Sequence, residues 1–196
     1  METKKKYELT SETIKFNGVT LHRIKALKDF SDVKAGDLGG WIEKEDNLSQ
    51  MGDAWVYSNA KVYGNAKVFG NAKVYGNAVV CDNARAYGNS EVYGDAKVYD
   101  YAWVYDKSSV HGNARIRDNA EVYNNAEICG NAVVCDDADY IVFKSFCSSK
   151  RYFTWTRSNN MWKAGCFYGT GKELIEKASA DSETSGRECE KIVRLT

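Results

Sequence analysis

Residues Ala54–Asp137 can be written in sixes: A-W-V-Y-S-N (54–59), A-K-V-Y-G-N (60–65), A-K-V-F-G-N (66–71), A-K-V-Y-G-N (72–77), A-V-V-C-D-N (78–83) and A-R-A-Y-G-N (84–89). The series continues S-E-V-Y-G-D, A-K-V-Y-D-Y, A-W-V-Y-D-K, S-S-V-H-G-N, A-R-I-R-D-N, A-E-V-Y-N-N, A-E-I-C-G-N and A-V-V-C-D-D, ending at Asp137. These fourteen hexapeptides fill 84 residues without an insertion or deletion. Position one is always Ala or Ser, and position three is Val or Ile in all but one repeat, where Ala86 stands. A strict internal repeat outranks any local secondary-structure signal.

In a short strand, side chains alternate between faces. Positions one and three therefore share the inward face, and positions two and four the outward one. Gly, Asp or Asn at positions five and six supplies a turn, because these residues reach positive φ at little cost. A strand and a corner every six residues wind the chain into a prism. Small Ala fits the corner, and β-branched Val fills the wall. An amphipathic helix is excluded, since a period of six does not match 3.6 and the Gly and Asn density opposes it. A period of five is absent.

The pattern resembles the hexapeptide-repeat left-handed parallel β-helices, and the G-N-A-K-V-Y wording is most similar to the YdcK-type β-solenoid proteins, bacterial and phage-borne, often labelled transferase-like or polymer-forming. That resemblance implies three hexapeptides per coil, hence about 4.7 coils and a prism roughly 22 Å tall at a strand spacing of ~4.8 Å. The expected fold class is mainly β, with a left-handed parallel β-helix at 41–138. An N-terminal hairpin cap (1–40) precedes it, and a small C-terminal α+β domain (139–196) follows. Fold alone does not fix function.

Composition narrows the field. The 196 residues hold 27 Lys plus Arg and 27 Asp plus Glu, so no bulk charge favours nucleic acid or membrane. The balance also holds segment by segment: nine basic and ten acidic residues in 1–53, eight and ten in 54–137, ten and seven in the remainder. The start, M-E-T-K-K-K-Y-E, lacks an apolar leader, and no stretch has the length of a membrane span. Six cysteines, at 81, 129, 135, 147, 166 and 189, form no C-x-x-C and have no histidine at zinc-site spacing. Cys81, Cys129 and Cys135 fall at the outward position four. Cys81 and Cys135 share a wall three coils apart, roughly 14 Å, too far for a disulfide. Free thiols in a reducing cytoplasm are expected.

Around the repeat, Thr13–Phe16 and Val19–Ile24 flank Asn17-Gly18, a strong hairpin signal. Residues 28–53 read as irregular, with the first coil starting near Trp41 and the hairpin folded over its open end. The phrases R-I-K-A-L-K-D-F and G-D-L-G-G-W-I-E resemble the opening segment of the phage-borne relatives. After Asp137, Tyr140–Phe143, Arg151–Thr156 and Met161–Phe167 read as three antiparallel strands, with turns at Cys147–Lys150 and Ser158–Asn160. Thr170–Glu173 is a capping box opening a helix, with Leu174, Ile175 and Ala178 on its apolar side. Gly186 reads as the interruption before a second short helix. The G-C-F-x-G-T phrase at 165–170 resembles the small domain that often follows such solenoids, and its expected job is to cap them.

The resemblance implies one chemistry to weigh, acyl transfer from acetyl-CoA or an acyl carrier protein. There a histidine takes the proton of the attacking acceptor, commonly between prisms of a trimer and beneath a loop thrown out of one coil. His111, at position four of S-S-V-H-G-N, is the candidate base; His22 has no motif around it. Fourteen repeats without a loop argue against this, as nothing would cover the reaction. Neither G-x-S-x-G, H-E-x-x-H nor a phosphate-cradling loop occurs; Gly169-Thr170-Gly171-Lys172 misses the phosphate-loop spacing. Turn carboxylates (Asp82, Asp95, Asp100, Asp106, Asp118) scatter over different corners, so no metal site is expected.

The outward aromatics are the informative surface. Three repeats per coil put Phe69, Tyr87, Tyr105 and Tyr123 in one column, with Lys67, Arg85, Trp103 and Glu121 alongside. The other columns read Tyr57, Tyr75, Tyr93, His111, Cys129 and Tyr63, Cys81, Tyr99, Arg117, Cys135. Rings in a column can merely shield the ladder. A flat aromatic wall with a few cations also suits a partner subunit or a stacked ring ligand. The sequence therefore points to a non-enzymatic binding or scaffold protein. It would be a homo-oligomer, a trimer packed wall to wall, with Phe69, Arg85, Tyr87, Trp103, Tyr105 and Tyr123 as the binding set and no cofactor. The alternatives are a CoA-dependent acyltransferase using His111, and a protein that sequesters a nucleotide-like small molecule.

Overall fold

A computed structural model describes residues 5–144 and 151–196 of the protein. The chain opens with a hairpin, β1 (Tyr7–Phe16) and β2 (Val19–Ala26). Asn17 and Gly18 both take positive φ, +49° and +83°, as the tight turn requires. Strand β3 (Leu38–Ile42) then starts the first coil. Two-residue rungs follow every six residues, from β4 (Trp55–Val56) to β17 (Val133–Val134).

Every third rung pairs in parallel, producing a β-solenoid with three walls. The hairpin wall carries β3, β5, β8, β11, β14 and β17; the histidine wall β4, β7, β10, β13 and β16; the tyrosine wall β6, β9, β12 and β15. Leu48 bridges to Val68 and supplies the tyrosine wall's first rung. The stack thus runs to about five coils. Position one and position three are buried throughout, and Val62, Val74, Val98 and Val104 are fully enclosed in one continuous core. Position five adopts left-handed backbone in thirteen of the fourteen repeats, whether Gly76 (φ +69°) or Asp100 (φ +56°), and in the last Asp136 is extended at φ −146°. A Cβ on Gly76 would lie 3.0 Å from the backbone nitrogen of Gly94 in the next coil, so glycine suits that corner on two counts.

Parallel coils have a polarity. The bonds that flank each rung run from the N–H groups of one coil to the carbonyls of the following one, as from Lys61 to Ala78 and from Lys73 to Ser90, while the bond inside the rung returns the other way. The first coil is therefore richer in bare carbonyls, and the last in bare N–H groups. Donor side chains close the first end. Lys6 Nζ reaches the Ala54 carbonyl at 2.8 Å, the Tyr7 hydroxyl reaches that of Leu48 at 2.7 Å, and β2 pairs with β3 on the hairpin wall. Acceptors close the other. Asp137 takes the Glu121 N–H, Thr154 Oγ1 that of Glu127 and Ser158 Oγ that of Val133, one on each wall. The hairpin thus closes the open end in two ways, extending one wall edge-on and reaching over the first rungs of the other two through Lys6 and Tyr7. Gly39 permits the approach, since a Cβ there would sit 2.5 Å from the Ile24 side chain of β2.

The C-terminal part is a four-stranded antiparallel sheet, β18 (Tyr140–Lys144), β19 (Tyr152–Thr156), β20 (Met161–Ala164) and β21 (Phe167–Gly169). Helices α1 (Gly171–Asp181) and α2 (Glu183–Val193) pack on it around Trp162, Leu174 and Ala178. The capping box is present, with Thr170 N donating to Glu173 Oε2 at 2.7 Å. Two readings change. Gly165 turns at φ +57°, splitting Met161–Phe167 into two strands. Gly186 lies inside α2, where a Cβ would come within 2.2 Å of Ser179 Oγ; it allows the two helices to touch. The turn expected at Cys147–Lys150 falls outside the described residues.

Candidate functional site

On the tyrosine wall the six residues of the expected binding set form one ladder. Ring centroids run Phe69–Tyr87 4.8 Å, Tyr87–Tyr105 5.0 Å and Tyr105–Tyr123 5.4 Å, with interplanar angles of 3°, 1° and 13°. Beside them the Arg85 guanidinium lies 4.9 Å from the Trp103 ring, and Trp103 meets Tyr87 edge-on. The Tyr105 hydroxyl donates to Glu121 Oε2 at 2.7 Å. Burial, then that carboxylate, pushes its ionisation well above the usual tyrosine range. The rings stand across the wall and stack along the axis, so their faces are taken by one another. A flat aromatic surface does not form; the wall offers ring edges, hydroxyls and Trp103.

The histidine wall repeats this device. Tyr75–Tyr93 and Tyr93–His111 stack at 4.7 and 4.6 Å, and Tyr57 meets Tyr75 edge-on. Tyr57 and Lys73 both bond Asp32 of the loop before β3, and that carboxyl is pulled down to about 2, chiefly by Lys73. His111 Nε2 lies 3.1 Å from Glu127 Oε1 on the next coil. Lys163 of β20 reaches the same oxygen at 3.0 Å. Burial opposes the charge on Glu127, yet the His111 and Lys163 contacts hold its carboxyl below the usual range. The imidazole is thus stacked on one face and bonded to a carboxylate beneath the C-terminal sheet, with its side chain 20% exposed. His22 sits apart on β2, opposite Ile42. Sequence spacing found His111 but could not supply Lys163, which arrives from 52 residues further along the chain.

The cysteines differ from expectation. Cys81 and Cys129 occupy outward positions but are buried, because neighbouring side chains close over them. The Cys81 thiol donates to Asp82 Oδ2 at 3.4 Å, and Tyr168 of β21 is pressed against Gly130 beside Cys129. Burial pushes the Cys81 thiol up to about 12 and that of Cys129 to about 11, so both are poor nucleophiles. Among the described residues no group of three or more His, Cys, Asp or Glu side chains is placed to hold a metal, and no helix is long and apolar enough to cross a membrane.

Period, parallel pairing and inward Ala/Val columns together define a hexapeptide-repeat β-solenoid. No family model matches the chain. Over 61 residues it is 41% identical to the uncharacterized acetyltransferase YdcK of Escherichia coli (strain K12), a stretch amounting to 27% of this chain. The match spans only 19% of that relative's length.

Proposed function

We propose that the protein is a non-enzymatic binding protein whose solenoid walls are its working surfaces, and that it acts as a homo-oligomer, a trimer packed through the tyrosine wall. The observation carrying the reading is the state of His111. Its ring face is on Tyr93, its Nε2 is on Glu127, and Lys163 closes over the same carboxylate. Fourteen repeats without a loop offer no segment thrown out of a coil to shield a reacting thioester. Assembly is supported by the half-buried Trp103 and the ring ladder beside it, by balanced charge and by closed ends.

Acyl transfer is the second reading, favoured by the 61-residue likeness to a protein named an acetyltransferase. In that reading Glu127 orients His111, and the imidazole takes a proton from an acceptor attacking acetyl-CoA. Release of free thiol from acetyl-CoA, followed in the presence of amine and hydroxyl acceptors, separates the two. The binding reading expects no release above background. Release abolished by His111→Ala would overturn it. Light scattering tests the assembly: the wild type should have about three times the monomer mass, and Tyr105→Glu should shift it toward monomer without altering circular dichroism. A wild type that is monomeric at high concentration refutes the trimer.

A further inference from the structure

One ring ladder has a rung missing. On the tyrosine wall rings fill position four from Phe69 to Tyr123, and on the histidine wall from Tyr57 to His111. On the hairpin wall the column reads Tyr63, Cys81, Tyr99, so one ring is absent between two that remain. Tyr63 and Tyr99 stand two coils apart, about 9.6 Å at the coil repeat of ~4.8 Å. That is twice the 4.7 Å at which Tyr75 stacks on Tyr93. A planar ring midway would meet each tyrosine at the spacing the chain uses for its own rings.

The gap is a concavity of about 290 Å³ with Val79 and Cys81 at its base. Its upper jaw is held in place by the hairpin tip. Asn17 Nδ2 donates to the Tyr63 hydroxyl at 3.0 Å, and Phe16 packs edge-on against that ring at 5.9 Å.

Charge at the lower jaw is uncompensated. Lys97 and Arg115 are register partners on adjacent coils, and neither forms an ion pair among the described residues. Like charges directly opposed on a ladder are destabilising. The wall's other cations are engaged. Lys61 lies 5.0 Å over the Phe16 ring and donates to the Asn59 carbonyl, and Arg117 pairs with Asp118 at 3.1 Å. Asp82, at the rim, accepts the Asp100 backbone N–H at 3.3 Å. On the solenoid rungs of this wall, β5 to β17, Lys97 and Arg115 are the cations with neither an ion pair nor a ring contact among the described residues, and both border the gap.

We infer that the gap between Tyr63 and Tyr99 binds a small anionic ligand with a planar ring, of the nucleoside phosphate class. The ring completes the aromatic column, and the phosphates meet Lys97 and Arg115. The inference rests on the binding reading, and it assigns that reading a ligand class and a place.

Calorimetric titration with ADP, adenosine, pyrophosphate and a short single-stranded oligonucleotide tests it. ADP should bind saturably, with adenosine and pyrophosphate each at least tenfold weaker (~1.4 kcal/mol per tenfold). Cys81→Tyr should restore the ladder and abolish ADP binding while melting no lower than the wild type. Lys97→Ala and Arg115→Ala, both at exposed positions, should weaken ADP by about tenfold and leave adenosine unchanged. Full ADP affinity in Cys81→Tyr overturns the site, and so does the absence of ADP binding at about 1 mM. Oligonucleotide binding without ADP binding overturns it in favour of a strand-binding wall. A trimer that Tyr105→Glu dissociates, yet that takes no ADP, refutes the site while leaving the assembly reading standing.

Discussion

Ser90 and Ser108 occupy the inward position one on neighbouring coils of the same wall, and both are buried. Their hydroxyls have opposite fates. Ser108 Oγ donates to the Tyr105 carbonyl at 2.7 Å and lies 3.0 Å from that of Val122. Ser90 Oγ has no partner. An unsatisfied buried hydroxyl costs about 1–3 kcal/mol, whereas a satisfied neutral hydrogen bond contributes about 0.5–1.5 kcal/mol. Ser90→Ala should therefore stabilise the protein by about 1 kcal/mol, since alanine fills this position in most other repeats and loses only one atom of packing. Ser108→Ala should destabilise it by about 1 kcal/mol. The carbonyls it abandons keep backbone donors, Ser108 N and Tyr105 N, so no further penalty is expected. In a chain of this size each kcal/mol moves the melting temperature by roughly 2–4 °C. Urea unfolding followed by far-ultraviolet circular dichroism reads both variants against the wild type. Shifts of the same sign would refute the hydrogen-bond assignment, and a destabilising Ser90→Ala would mean that its hydroxyl has found a donor or acceptor.

Burial raises the ionisation of Tyr7 and Tyr140 above the ordinary tyrosine value. Their protons are held more tightly folded than unfolded, so stability should fall as pH rises above about 10, by up to ~1.4 kcal/mol per unit for each. Lys6 has the opposite sign. Burial pulls it down to about 8, so the unfolded chain binds its proton more tightly, and this group should add stability between pH 8 and its unfolded value near 10.5. Melting temperatures across pH 7–11 should thus hold or rise before dropping, and a decline already complete by pH 9 would contradict both assignments. Lys6→Met leaves the Ala54 and Gly52 carbonyls without their donor and should cost about 1–3 kcal/mol, with hydrogen exchange accelerated first in the opening coil. Gly130→Ala would drive a Cβ into the Tyr168 hydroxyl at a φ of +65°, with an expected cost of about 1–3 kcal/mol. In a Cys166→Ser background it should also make Cys129 label faster with a thiol reagent, and unchanged labelling would mean that the C-terminal sheet does not cover that thiol.

A period of six made the coils, the inward columns and the membership of each outward column legible, because every residue's surroundings repeat. What escaped depends on contacts between distant stretches. Cys81 reads as exposed from its position alone, yet it is buried at the foot of the gap beside Tyr63, whose hydroxyl the hairpin tip holds through Asn17. Glu127 and His111 are coil neighbours, but Lys163 reaches them from a sheet whose placement no repeat encodes. Gly186 carries a helix-breaking signal worth about 1 kcal/mol. Its close approach to Ser179 outweighs that signal. Ring orientation was also hidden: the tyrosine column was apparent, but not that Phe69, Tyr87, Tyr105 and Tyr123 would turn their faces to one another.

The polarity of the coils limits how this protein can associate. An unfinished first coil is rich in bare carbonyls and an unfinished last coil in bare N–H groups, so the two ends would complement each other and grow head to tail. Lys6 and Tyr7 occupy the first set; Asp137, Thr154 and Ser158 occupy the second. A donor-rich cap cannot dock on carbonyls that its own side chains already fill, nor can an acceptor-rich cap dock on filled N–H groups. Association is left to the walls. A wall of identical rungs offers the same contact in every coil and selects no register, so a discrete site has to lie where a column changes. The ring removed at Cys81, with two unpaired cations beside it, is such a place.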